Sequence, residues 1–487
     1  MWLFKLIWNA LSIPWKIWQW FDDRSEISKT LGPLIRHPIP PGTGWKYVFG
    51  SATLIAFLIQ VATGIALATA YVSSAGGAYK SLEFISHQAT WGWWVRGMHY
   101  FGASAMVLLV GLHMGRVFLT GSYKFPRELN WFTGVILLFL TLAMGFTGQL
   151  LRWDQTGVWS TTIAAEQAGR VPVIGHWIAR LIFGGNTVGG STLSRFFAVH
   201  VFWIPAVIFA VVGFHLYLVI RNGISEPAKP GHPINPKTYR AWYKALLERS
   251  GRPFFPDAAW RDVVFGFLVV VCIVVLAGIV HAPELAGPPN PALIQAEPRP
   301  DWYLLWYYAL LALTPHYMES YLMILVPIVI AVLLLFFPLI FNRGERSVSR
   351  RPWSAAICIF VVLAVATLWY QGKTAHWSPA FHAPPLALRT IGASSGPIYQ
   401  GAQLFHERGC EDCHAIGGQG GHRGPDLSTV ADRLTEEQLT VRILNGGNNM
   451  PAFGSILTPQ DLTLLLDFLN SRTAYKNTSL TRTGGQH

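Results

Sequence analysis

Charge is scarce in this sequence: Asp, Glu, Lys and Arg make up 13% of its 487 residues, against 52% apolar residues and 21 Trp. Soluble domains carry about a quarter of their residues as charges, so a water-soluble fold is excluded for most of the length. A lone compact domain is excluded by the length itself. Cysteine is scarcer still, and four unevenly spaced residues cannot build a disulfide framework. Cys272 and Cys358 lie inside apolar runs and read as inert core thiols; Cys410 and Cys413 stand in a motif taken up below. Residues 1–21 are apolar and Trp-rich, but Lys5, Pro14 and Lys16 interrupt them and no small-residue cleavage site follows. The segment therefore lacks the marks of a cleaved signal peptide and predicts an amphipathic helix lying at a membrane surface.

In place of charge the chain has long apolar runs. Seven of them, roughly 47–72, 97–115, 131–151, 196–220, 263–282, 321–341 and 353–371, contain no Lys, Arg, Asp or Glu. Each is long enough, or nearly so, to cross ~30 Å of hydrocarbon as a helix. The net charge of +12 does not point to nucleic acid, because much of it sits at the N-terminus and in the loops between runs. Lys124 and Arg127 follow the second run. Arg221, Lys229, Lys237, Arg240, Lys244, Arg249 and Arg252 follow the fourth, and Arg343, Arg346, Arg350 and Arg351 the sixth. These three loops share one side, which the positive-inside rule makes cytoplasmic. An odd number of crossings then carries everything after the seventh run to the positive side. The expected organisation is an interfacial segment at 1–45, a four-helix unit at 46–225 and a three-helix unit at 226–372. A Pro-rich tether at 373–395, a small soluble domain at 396–475 and a flexible polar tail at 476–487 complete it.

Four histidines occupy two of the runs: His99 and His113 in the second, His200 and His215 in the fourth. A lone His in a membrane helix is commonly a hydrogen-bonded core residue, but two matched pairs form a ladder. Fourteen helical residues span about 21 Å and fifteen about 22 Å, and either spacing returns a side chain to within about 60° of its partner's direction. Side by side, the two helices set His99 opposite His200 near the positive side and His113 opposite His215 near the cytoplasmic side. Each pair can supply two axial imidazoles to an iron with no position left open, which suits electron transfer. Two His alone leave zinc short of ligands. In the first and third runs Gly50 and Gly64, and Gly134 and Gly148, repeat the fourteen-residue spacing. A flat macrocycle wedged between helices needs such close backbone approach, although small residues also serve ordinary helix packing in membranes.

Cys410-Glu411-Asp412-Cys413-His414 is a C-x-x-C-H haem-attachment motif. Met450, thirty-six residues after His414, can bind the opposite face of the iron, and His with Met raises the potential as an electron outlet requires. Gly401 and Phe405 before the motif, Pro425 after it and a closing helix at 459–471 make the domain resemble class I cytochrome c. There the proline carbonyl orients the ligand imidazole.

Over roughly residues 20–345 the chain resembles the cytochrome b family of bc and bf complexes. The resemblance rests on Gln-Val-Ala-Thr-Gly at 60–64, the four histidines, Lys-Phe-Pro-Arg-Glu-Leu at 124–129 and Trp-Asp-Gln at 153–155. Pro-Val-Ile-Gly at 172–175, residues 189–200, Arg-Asn-Gly-Ile-Ser-Glu-Pro at 221–227 and Pro-Asp-Trp-Tyr at 300–303 extend it. The fifteen-residue His spacing and the seven crossings look like the bf branch, with its two usual chains joined. The fold this implies is an all-α membrane protein of seven helices with a four-helix di-haem bundle, followed by an all-α class I cytochrome c domain. Its cofactors are two b haems and one covalent c haem.

The resemblance also implies a Q-cycle, in which quinol is oxidised on the positive side and quinone is reduced near the cytoplasmic haem. Its partners are a Rieske iron–sulfur protein, the quinone pool, a second copy of the chain, membrane lipid and an acceptor: a cytochrome c, a terminal oxidase or a reaction centre. Asp301 matches the family's proton-accepting glutamate but is one methylene shorter, and as an ordinary loop residue it would cap a helix; Tyr303 shapes the same pocket. Arg221 matches a basic residue near the quinone-reduction site, or is a snorkelling helix-end cation. Arg96, expected just outside its helix, pairs with a haem propionate or with nothing. Val48 stands where the bf branch has a cysteine, so no covalent haem is expected there. No Rieske-type Cys-x-His and Cys-x-x-His pair occurs in the chain. A di-haem anchor relaying electrons between a dehydrogenase and quinone is the competing function, with a redox sensor behind it. The implied location is a bacterial cytoplasmic membrane, with the cytochrome c domain on the periplasmic side.

Overall fold

The computed structural model describes residues 16–169, 171, 174–184, 188–289, 300–314, 316–374, 383–421, 424–446, 450, 452–454 and 456–474. Most of the expected interfacial helix at 1–21, part of the tether and the whole polar tail lie outside these residues. A short helix, α1 (Ile27–Ile35), precedes the membrane region. Among the described residues seven helices are long and apolar enough to cross a membrane, as the apolar runs predict. They are α2 (Phe49–Ala68), α3 (Gly92–Leu119), α4 (Glu128–Leu150), α5 (Gly190–Asn222) and α6 (Ala259–Ile279). After the short α7 (Leu305–Ala312) come α8 (His316–Ile340) and α9 (Pro352–Thr374). The chain is a multi-pass membrane protein.

Within the bundle α2 packs on α3 and α4 on α5, with α6 against both α2 and α3. A small core of Ala52, Ala56, Phe57, Met106, Leu109 and Ile208 joins α2, α3 and α5. The remaining outer faces are apolar and exposed, as lipid contact requires. Residues Val199–Trp203 of α5 form one π-helical turn. Pro205 has no N–H to give the carbonyl four residues earlier and its ring crowds that carbonyl; widening the preceding turn relieves both problems.

The loops sort to two ends. At one end Lys124 Nζ donates to the carbonyls of Phe341 (2.8 Å) and Arg343 (2.6 Å). Arg127 donates to Gly223 O at 2.8 Å and to Tyr239 Oη at 2.8 Å, and Arg346 pairs with Glu226. The three cation-rich loops therefore meet, as two crossings between each and the next demand. Lys124, Arg127, Arg346 and Arg351 are buried rather than solvated, however. Lys124 and Arg127 hold carbonyls at the C-terminal ends of α8 and α5, where a helix favours a cation. At the opposite end Asp154 is wholly buried. Its carboxylate accepts from Gly157 N (2.8 Å) and Ala286 N (3.0 Å), tying the loop after α6 to the loop after α4.

The C-terminal domain is built from α10 (Pro397–Glu407), α11 (Glu436–Asn445) and α12 (Pro459–Asn470). Phe405 and Phe468 meet at 5.5 Å in its core. Gly401 lies directly against the Leu464 carbonyl, closer than a Cβ would permit. Part of the segment expected as a tether, 373–395, lies against this core. Leu386 and Ile391 are in this core, and Arg472 donates to the carbonyls of Thr390 and Ile391, both at 2.7 Å. Pro-rich sequence marks a chain without long helices, but does not prevent apolar residues within it from docking.

Candidate electron-transfer site

Two cavities lie along the bundle between α3 and α5. The one at the end with Asp154, of about 290 Å³, is lined by His99, His200, Gly64 and Gly148. The other, about 520 Å³, is lined by His113, His215, Gly50 and Gly134. Phe57, Met106, Thr141 and Ile208 border both, so the cavities are stacked with a shared apolar wall. The four histidines thus divide into the two pairs their spacing predicts. The π-turn at His200 takes up the extra residue of the fifteen-residue interval.

The ring centroids of His99 and His200 are 6.3 Å apart with planes at 73°. Two imidazoles each bound at ~2 Å to one metal through a ring nitrogen have centroids about 6 Å apart. Three of the four rings are held by a threonine: Thr63 Oγ1 to His99 Nδ1 at 2.9 Å, Thr147 to His200 at 3.0 Å and Thr133 to His215 at 2.7 Å. Each hydroxyl gives its proton to a carbonyl one turn back, Ile59, Ala143 or Leu129. The hydroxyl oxygen must therefore accept from Nδ1–H, which leaves the Nε2 lone pair for a metal. Among the described residues His113 has no such partner, because Phe49 precedes Gly50 where Thr precedes the other three glycines. The Thr-Gly pairs at 63–64, 133–134 and 147–148 were the available sequence signal.

The glycines do more than admit a macrocycle. A Cβ on Gly50, Gly64, Gly134 or Gly148 would meet Cε1 of His113, His99, His215 or His200 at 3.1, 3.3, 3.8 and 2.8 Å. Each glycine is the seat of one imidazole.

Buried donors without partners mark where an anionic group belongs. Arg116 lines the larger cavity with its guanidinium 3.8 Å from the Tyr47 ring centroid, and its Nε and Nη2 have no partner among the described residues. It falls one turn beyond His113, on the same face. Arg96 lies inside α3 rather than outside it, lines the smaller cavity, and donates to Pro283 O at 2.6 Å. Asp262 and Ser51 face the larger cavity 2.8 Å apart. Arg221 is not among that cavity's lining residues; it donates to Tyr217 Oη at 3.0 Å. Imidazole pairs and glycine seats fit a flat macrocycle in each cavity, and the unsatisfied Arg116 donors fit a carboxylate on the one in the larger cavity.

Asp301 and Tyr303 line the smaller cavity, and Tyr303 Oη donates to Asp301 Oδ2 at 3.1 Å. Asp301 does not cap a helix; α7 begins after Leu304. Tyr303 Oη lies tight against Gly145 of α4. Burial pushes the Asp301 carboxyl above the ordinary carboxylate range, while the Tyr303 hydrogen bond and the Arg152 guanidinium pull it back. Burial and the neighbouring carboxylate push the Tyr303 phenol up, so it stays a donor.

In the C-terminal domain Cys410, Cys413 and Met450 pack against one core. His414 Nδ1 is 2.8 Å from Pro425 O, so it donates there and leaves Nε2 free. Gly424 lies flat against the His414 ring. The donor set fits a covalently attached, His/Met-ligated haem.

Family models match in three blocks: "Cytochrome b/b6/petB" over residues 34–223, "Cytochrome b(C-terminal)/b6/petD" over 288–386, and "Cytochrome C oxidase, cbb3-type, subunit III" over 396–469. Cytochrome b6 of Crocosphaera subtropica is 40% identical over 212 residues, covering 44% of this chain and 96% of that protein. Cytochrome b6 of Synechococcus elongatus is 40% identical over 212 residues, 44% of this chain and 99% of its own. A solved structure titled "Hyperthermophilic respiratory Complex III" aligns with a TM-score of 0.62 at 26% identity, over 73% of this chain and 91% of that one. The chain belongs to the cytochrome b family, b6-like with both parts on one polypeptide, and carries a cytochrome c domain at its C-terminal end.

Proposed function

We propose that this chain is the cytochrome b and c subunit of a quinol–cytochrome c oxidoreductase in a bacterial cytoplasmic membrane. Quinol is oxidised at the cavity beside Asp301 on the positive side, and quinone is reduced at the cavity beside Asp262 on the cytoplasmic side, where Arg221 follows Ile220 of the lining in sequence. Two b haems, on His99 with His200 and on His113 with His215, and a c haem on Cys410, Cys413, His414 and Met450 would supply one-electron carriers. The observation that carries this reading is that an acid and a phenol share a buried cavity with one imidazole pair.

Oxidation of a quinol releases two electrons and two protons. The Asp301 carboxylate takes one proton, oriented by the hydrogen bond from Tyr303 Oη, while the apolar walls exclude water. Moving each charge against the potential costs about 2.3 kcal/mol per 100 mV, and quinol oxidation supplies it. One electron leaves to a Rieske iron–sulfur partner, whose ligand segments this chain lacks, and the cytochrome c domain passes it to a soluble cytochrome, a terminal oxidase or a reaction centre. The other would cross through the two b haems to the quinone on the cytoplasmic side, and the second proton leaves on the positive side. A homodimeric assembly accompanies this function. A simple di-haem relay would have no use for the acid and phenol in the smaller cavity.

The test is optical. In membranes containing the whole complex, with quinone reduction blocked, an oxidant pulse should transiently reduce the b haems. No b-haem reduction on oxidation would leave only the relay.

A further inference from the structure

We propose that Arg152 is a positioning residue for quinol oxidation: anchored from outside by Asp154, its guanidinium presents a fixed positive charge to the Asp301 carboxyl in the shared cavity and keeps it ionised until a quinol proton arrives. This rests on the assignment of quinol oxidation to that cavity. Arg152 follows α4 and lines the cavity together with Asp301, Tyr303, Arg96 and Tyr100. Its Nη2 pairs with Asp154 and also donates to Glu284 O at 3.3 Å. Its Nε is buried with no partner among the described residues. The anchor is itself fixed, since Asp154 is fully buried and also accepts from Gly157 N and Ala286 N. Asp154 is not among the residues that line the cavity, whereas Arg152 and Asp301 both are, so of the ion pair it is the cation that faces Asp301.

A proton acceptor must be empty when substrate arrives. A carboxyl as buried as Asp301 favours its protonated form, and a protonated acid cannot accept. Tyr303 offers one neutral hydrogen bond from the same loop. From α3 come Tyr100, a neutral phenol, and Arg96, a cation directed to the Pro283 carbonyl that is not among the charges acting on Asp301. Asp154 and Glu284 on the neighbouring loops carry the wrong sign. Arg152 is the cation whose attraction acts on Asp301, across a shared buried cavity whose low dielectric strengthens it.

The experiment is the pH profile of quinol:cytochrome c turnover in membranes holding the intact complex, with b and c haem spectra recorded for every variant. The wild-type rate should rise with pH as Asp301 ionises. In Arg152→Gln the rising limb should move up by about one pH unit, so activity is lost in acid and regained in alkali. Arg152→Lys should return the limb to the wild-type position. An Asp301→Asn variant should lack the limb, with or without Arg152→Gln. A loss in Arg152→Gln that is equal at every pH, or that Lys fails to reverse, overturns the proposal in favour of a purely structural tie to Asp154. Unchanged turnover in Asp301→Asn alone would instead remove the cavity assignment, and the role of Arg152 with it.

Discussion

Replacing Asp301 with Asn should cut quinol oxidation by about 100-fold or more, the scale of a lost general base, and leave the haem spectra unchanged. The amide keeps the shape of the carboxyl and can still accept the Tyr303 hydrogen bond, made at 3.1 Å in the native chain. It cannot take up a proton. Because burial raises the Asp301 carboxyl, the native enzyme should be slow in acid, where the group is already protonated, and should speed up as pH climbs through a midpoint above the ordinary carboxylate range. Steady-state turnover across pH checks both statements. Wild-type rates in the variant would remove the acid from the reaction.

The second large effect concerns a residue with no functional group. Gly148→Ala should abolish binding of the haem nearer Asp301, while Gly134→Ala should leave both b haems in place. The new methyl at 148 would stand 2.8 Å from Cε1 of His200, inside any real contact distance, and 3.3 Å from Nε2. His200 can retreat only by giving up Thr147 Oγ1 at 3.0 Å and the alignment with His99. At 134 the same methyl would meet His215 at 3.8 Å, an ordinary van der Waals contact. Counting b haems against c haem in the two purified variants decides the matter; equal counts would mean the rings are not seated on these glycines.

The membrane helices were legible because hydrocarbon sets a minimum length and forbids charge, so runs without Lys, Arg, Asp or Glu had little freedom. Where they erred, charge was the reason. A run that stops at the first cation ends at Gly115, yet α3 continues through Arg116 to Leu119, because a cation facing a cavity or another protein group need not end a helix. The same assumption placed Arg96 outside the membrane helix that contains it. The cation-rich loops do meet at one end, but not as the solvated charges that a loop pattern suggests. Lys124 is buried on carbonyls 217 and 219 residues away, a partnership no local pattern encodes. The histidine pairing was readable from spacing, but its register was not, since a straight helix leaves His200 and His215 rotated apart. Pro205, five residues after His200, is the local cause of the π-turn. Arg152 carried no signal at all: it ends an apolar run, where a cation is ordinary, and only the fold brings it to Asp301.

The ratio of b haem to c haem in the purified chain bears most directly on the account, because everything in it depends on α3 and α5 clamping two irons. Pyridine haemochrome spectra should give two b haems per c haem in the native protein and one in His99→Leu. A native ratio other than two, or a ratio that stays at two when His99 is gone, would contradict it.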